Sequence, residues 1–239
     1  MNGGELTGIK AAWYRSAWMP RVAPFAIFMA FIGVQELLEF FAGCGTIPTC
    51  DSLPMDLYPV KALAAGAALL FYASSYSELR LGDLSKVPHS IVSICTGLFV
   101  FVLWINLDFH FGAEPKAFDP TLLKSGLAVW ATIGFRLLGS ALIVPVMEEL
   151  FWRSFLIRYL VNKDFAAVPA GLFTWPSFLI CSVLFGLEHH LILAGIVAGA
   201  AYNLLFYHTK SVTQCILSHA ITNLALGVYV VCAGQWGFW

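Results

Sequence analysis

Residues 144–160 read VPVMEELFWRSFLIRYL and set two adjacent carboxylates, Glu148 and Glu149, inside an otherwise almost wholly apolar run. An ionisable side chain in such a run costs roughly 3 kcal/mol on insertion scales, so each one demands a function or a partner. Two neighbouring carboxylates at that depth cannot both ionise cheaply, which makes one of them a usable base near neutral pH. Glu149 and Arg153 are spaced i to i+4 with the acid toward the N-terminus, the favourable order for an ion pair on one helix face. Glu148 then points about 100° away around the helix. The division of labour follows: Glu149 and Arg153 neutralise each other, and Glu148 is left to act. The competing reading is a polar cluster that only holds helices together.

Two further apolar stretches carry histidine. FGLEHH places Phe185 and His189 at i and i+4, and SHAITN does the same for His219 and Asn223. His219 lies nine residues past Lys210, about 13 Å along a helix. Glu148 lies about as far from Arg158, so the two can meet at mid-bilayer. A lone histidine in a span is more often a packing residue than a catalyst; three stretches presenting polar groups at the same spacing make coincidence the weaker account. Water attacking an amide needs a base, and the tetrahedral oxyanion needs hydrogen-bond donors, which His and Asn supply. His190 and Glu188 fall at a turn and read as solvated. Glu36 and Glu39, three apart in the first apolar stretch, find no partner in the sequence.

The elements that must position these residues are membrane helices. Of 239 residues, 59% are hydrophobic and 11% charged, with a mean hydropathy of +0.80, against roughly 25% charged in globular domains. A formal net charge of -1 offers no basic surface for nucleic acid. Apolar runs bounded by charges, Pro or Gly predict seven spans, at 22–43, 58–78, 89–107, 130–158, 173–188, 190–207 and 212–232. The fold expected is all-α, a polytopic membrane bundle of about seven to eight transmembrane helices. It is expected to form a single transmembrane domain over 1–239, with the catalytic core at about 126–232. The first apolar run outlasts a signal-peptide core and stays as a span. Lys10, Arg15 and Arg21 before it, with Asp51 and Asp56 after it, place the N-terminus in the cytoplasm by the positive-inside bias. Arg80, Lys86, Arg158, Lys163 and Lys210 then fall inside, and the 108–124 loop and the GQWGFW terminus outside. Residues 126–161 are too many for one straight crossing, and Pro145 is the natural place for a kink or break. Cys44 and Cys50 flank a short polar loop and either pair, if that loop faces an oxidising compartment, or stay as thiols.

EELFWR, FGLEH and HAITN resemble the EExxxR, FxxxH and HxxxN motifs of the CPBP family, the intramembrane proteases related to the CAAX prenyl endopeptidase Rce1. The resemblance covers about 140–225; residues 1–120 carry no part of it. It implies an intramembrane endopeptidase that hydrolyses peptide bonds of a membrane-associated or lipid-modified protein, with no cofactor. By it, Glu148 would activate the water, His189 would help position that water, and His219 with Asn223 would stabilise the oxyanion. Glu149 and Arg153 would support the first motif, and Phe185 would wall the site. The family's usual count is nearer eight helices than seven. The short chain and the aromatic WGFW terminus look like bacterial members found alongside exosortase systems, which would put the protein in the cytoplasmic (inner) membrane. Bacteria generally lack prenylated CAAX substrates, so the family name does not assign a substrate.

Three other readings compete. A zinc protease could take Glu149, His189 and His219 as a His₂Glu site, but no HExxH is present, and Phe185 stands where the reversed HxxEH would need its first His. A scaffold or regulator of the same fold has no reason to keep a costly Glu pair in the bilayer. A transporter would show two similar halves with interrupted helices, and no repeat is visible. GxSG and GxGD, the marks of serine and paired-aspartate intramembrane proteases, are also absent.

Overall fold

The computed structural model describes residues 16–45, 53–107, 118–123 and 125–239. Cys50, and with it the expected Cys44–Cys50 pair, lies outside them, as do Lys10, Arg15 and most of the 108–124 loop. Every apolar stretch predicted as a span contains a helix, although the one expected over 58–78 starts earlier and ends at Phe71, and no strand occurs among the described residues. The helices are α1 (Met19–Gly43), α2 (Leu53–Phe71), α3 (Val87–Asn106), α4 (Gly126–Tyr159), α5 (Trp175–Leu187), α6 (Ile192–Thr209) and α7 (Val212–Ala233). Six are long and apolar enough to cross a bilayer; α5, with 13 residues, is shorter, about 20 Å. Large apolar side chains on the outer faces, among them Leu70, Leu127 and Trp130, are exposed. Such faces suit lipid rather than water.

Helix α4 runs through 34 residues without a break, about 51 Å against a hydrocarbon thickness near 30 Å. The irregularity expected at Pro145 takes the form of a change in register. Gly139–Ile143 and Leu150–Leu156 are π-helical and flank the α-helical turn Val144–Glu149. In the first of these segments the Val144 N–H bonds to the Gly139 carbonyl, five residues back. The next carbonyl in that register, Ser140, faces Pro145, which has no N–H to give. The orphaned oxygen accepts instead from Asn223 Nδ2 on α7 at 2.8 Å. The bulge that interrupts α4 is thereby tied to a neighbouring helix in the turn just before Glu148.

Small residues let the C-terminal helices approach closely. A Cβ added at Gly195 of α6 would lie 2.8 Å from Gly186 Cα on α5, and one at Gly199 would lie 2.9 Å from Phe185 Cβ. A Cβ at Gly97 of α3 would run into the Ser218 carbonyl of α7. At one end of the bundle a polar network locks the 72–86 connection to the helices. Arg21 forms a two-pronged pair with Glu78, both contacts at 2.7 Å, and Ser154 donates to the same carboxylate. Asp83 accepts from Lys86 Nζ at 2.8 Å and from Ser211 Oγ at 2.7 Å, while Gln214 bonds the Asp83 carbonyl and Ser93.

Candidate active site

Glu149 is fully buried, and its Oε1 accepts from Arg153 Nη1 at 3.1 Å. The i to i+4 pair anticipated from the spacing is present. The same oxygen lies 2.9 Å from His219 Nδ1; a carboxylate only accepts, so the Nδ1 proton points at Glu149 and Nε2 is turned to the other side of the ring. Arg153 also donates to the Gly199 carbonyl at 3.2 Å. Its guanidinium sits 4.8 Å over the Phe185 ring and 5.3 Å over Tyr202. Tyr202 stacks on His219 at 5.0 Å and donates to Thr222 at 2.7 Å. His219 is therefore held by a carboxylate at one nitrogen and by a ring across its face.

Glu148 stands apart from this pair, as its helical angle requires. It is 7% exposed, its Oε2 lies 3.9 Å from His219 Nε2, and that oxygen makes no hydrogen bond among the described residues. A gap of that size is too long for a direct hydrogen bond. His189 Nδ1 lies 2.7 Å from the Phe185 carbonyl, which only accepts, so in the neutral ring Nε2 is left as an acceptor. Trp104 of α3 packs edge-on against His189 at 5.2 Å. Ligand atoms of Glu148, Glu188 and His189 all lie within 4.8 Å of one another.

These groups share one cavity of about 390 Å³, whose walls include Glu148, Glu188, His189, His219 and Asn223. Asn223 spends one amide proton on Ser140 and keeps the second. Glu36 and Glu39, partnerless in the sequence, also line the cavity, and Gln35 donates to Glu39 at 3.0 Å. The three potential metal ligands that come together are Glu148, Glu188 and His189. The ligand atoms of Glu149, His189 and His219 do not come together as such a group among the described residues.

Glu188 is the residue most undervalued by its sequence position. The turn that seemed to expose it faces inward: Trp152 Nε1 donates to its Oε1 at 3.1 Å, and its Oε2 is buried without a partner. The signal was the FGLEH motif itself, in which an acid precedes the histidine by one residue. Trp104 carried none, since nothing in α3 marks one tryptophan as a wall.

An all-helical bundle that buries a Glu–Glu–Arg helix against two histidines around an internal cavity defines a polytopic membrane protein with the makings of a hydrolytic site. Residues 128–225 match the family model of type II CAAX prenyl endopeptidase Rce1-like proteins. This segment runs from α4 to α7 and holds every residue of the three motifs, and the match supports a relation to the CPBP/Rce1 type and a protease. No curated protein and no solved structure matches the chain.

Proposed function

We propose that the protein is a glutamate-type intramembrane endopeptidase, cutting a membrane-associated or lipid-modified protein by attack of water within the bundle. Support for the reading comes above all from the placement of Glu148, a buried carboxylate with an unpartnered oxygen 3.9 Å from His219 Nε2 on a cavity wall. Glu148 takes a proton from water as the oxygen attacks the carbonyl carbon, and the C–O bond forms while the carbonyl π bond becomes an oxyanion. His219, its Nδ1–H held by Glu149, turns Nε2 to that oxyanion and donates there when the ring carries a proton on each nitrogen, and the spare amide proton of Asn223 joins it. The protonated Glu148 then passes its proton to the leaving nitrogen as the C–N bond breaks, which restores the carboxylate. His189 accepts from the attacking water through Nε2 and aims it.

The N-terminus lies in the cytoplasm of a bacterial inner membrane in this account, on the strength of the basic residues that precede α1. A metal-assisted version has one observation in its favour, the Glu148–Glu188–His189 group. Cleavage of a candidate membrane substrate in lipid, by wild type and by Glu148→Gln, with and without a strong chelator, separates the two. Loss of about 10²–10⁴ in kcat for the folded variant is expected from removal of a general base, with no effect of the chelator. Activity lost to the chelator and restored by zinc would replace the mechanism by a metal one. Full activity in Glu148→Gln would make Glu148 structural.

A further inference from the structure

Cations within the bundle are generally satisfied: Arg21 by Glu78, Arg153 by Glu149 and the Gly199 carbonyl, Arg158 by the carbonyls of Val168 and Ser154. Lys61 and Arg136 are different. Lys61 is 7% exposed, and its Nζ lies 5.0 Å from the Phe28 ring centre and 5.4 Å from that of Tyr58. Arg136 lies with its guanidinium 4.3 Å over Tyr58 and 4.8 Å over Phe118, and its Nε is buried with no acceptor. Among the described residues neither side chain has a carboxylate or carbonyl partner. Both line the cavity that holds Glu148 and His219, and Glu36 and Glu39, on the same cavity, form no ion pair with either.

Two like charges held in a low-dielectric wall repel each other, and aromatic faces return only about 1–2 kcal/mol apiece. The arrangement is costly unless an anion enters. We propose that Lys61 and Arg136 form a carboxylate-binding subsite for the substrate in the cavity that also holds Glu148 and His219. This rests on the endopeptidase reading for the word substrate, but the anion site itself does not. Sharing one cavity with the hydrolytic cluster favours a peptide group over a lipid headgroup. Arg136 and Glu148 are twelve residues apart on α4, about 18 Å at 1.5 Å per residue. An extended peptide advances about 3.3–3.6 Å per residue, so the carboxylate read is about five residues from the bond that is cut. A chain terminus or an acidic side chain at that distance supplies the same chemistry.

The test is binding to the uncleaving Glu148→Gln protein in phosphatidylcholine nanodiscs, so that it reads out whether or not hydrolysis occurs. The probes are apolar decapeptides bearing an uncharged fluorophore and one carboxylate, as the chain terminus or as a glutamate side chain, each paired with its amide. Preference for at least one carboxylate over its amide by about tenfold or more is expected from charge-assisted hydrogen bonds. Adding Arg136→Gln or Lys61→Met should bring carboxylate and amide within about twofold while leaving amide affinity unchanged. Both substitutions should also raise the thermal midpoint of the empty protein, since each removes an unpaired buried charge. Equal affinity for every pair, or equal weakening of acid and amide by the substitutions, overturns the proposal. So does a preference seen in phosphatidylcholine and erased by phosphatidylglycerol, which would give the two cations to a lipid phosphate. A retained preference alongside a wild-type protein that cleaves no substrate in the same nanodiscs would leave the subsite standing and remove the protease reading.

Discussion

Replacing Arg153 by methionine keeps most of the side-chain volume and removes the charge at the centre of the site. Arg153 is 1% exposed and Glu149 fully buried, with 3.1 Å between Nη1 and Oε1. The substitution strands the Glu149 carboxylate with His219 alone and leaves the Gly199 carbonyl without its donor. Breaking a buried pair from one side typically costs about 3–5 kcal/mol. Removing both charges together, in Glu149→Gln with Arg153→Met, avoids the stranded ion, so the double variant should recover about half or more of that loss. It will not recover activity, because His219 Nδ1 then faces an amide rather than a carboxylate and its donor form is no longer supported. Reversible unfolding in mixed micelles, followed by tryptophan fluorescence for wild type, both single variants and the double, reads the coupling directly. A single Arg153→Met cost below about 1 kcal/mol, or a double variant no more stable than the worse single one, would refute the argument that this pair is a buried, mutually dependent unit.

Two other outcomes follow from the structure. Asn223→Leu should remove the donor to the Ser140 carbonyl, cost about 1–3 kcal/mol in stability for the orphaned oxygen, and lower kcat by about 10²–10³; a normal kcat with lowered stability would confine Asn223 to holding the bulge in α4. In acid, burial tends to raise the Glu78 carboxyl, but hydrogen bonds from Arg21 and Ser154 and the Arg21 charge outweigh it and hold its pKa below the ordinary value. Hydrogen bonds from Lys86 and Ser211 hold Asp83 low as well. Both groups therefore add stability that is complete above their unfolded pKa values, near 4, and is lost as pH falls through the lower folded values. The thermal midpoint should drop as pH falls below about 4, and Asp83→Asn should flatten part of that drop; an acid limb unchanged by Asp83→Asn and Glu78→Gln would assign it to other groups.

The helical stretches were legible because the bilayer leaves few choices: an apolar run with satisfied backbone is a helix, and all seven runs contain one. Glu149 and Arg153 were legible because their partnership is local, one helical turn apart. What escaped was long-range. Asn223 meets Ser140 across 83 residues, and that bond exists because a π bulge turns the Ser140 carbonyl toward a proline, a detail of register that composition does not encode. Glu188 was discounted because turn residues are usually solvated, whereas its side chain turns inward to accept from Trp152. Lys61 and Arg136 lie on helices that share no motif, so only the folded arrangement shows two cations facing one cavity.

The central claim is that Glu148 delivers water rather than its own oxygen to the scissile carbonyl. Single-turnover cleavage in ¹⁸O-labelled water, with mass analysis of the new C-terminal carboxylate and of the Glu148 peptide, tests it most directly. The account predicts one labelled oxygen in the product from the first turnover and none in Glu148. An unlabelled first product, with the label found in Glu148, would contradict it and make this carboxylate a nucleophile.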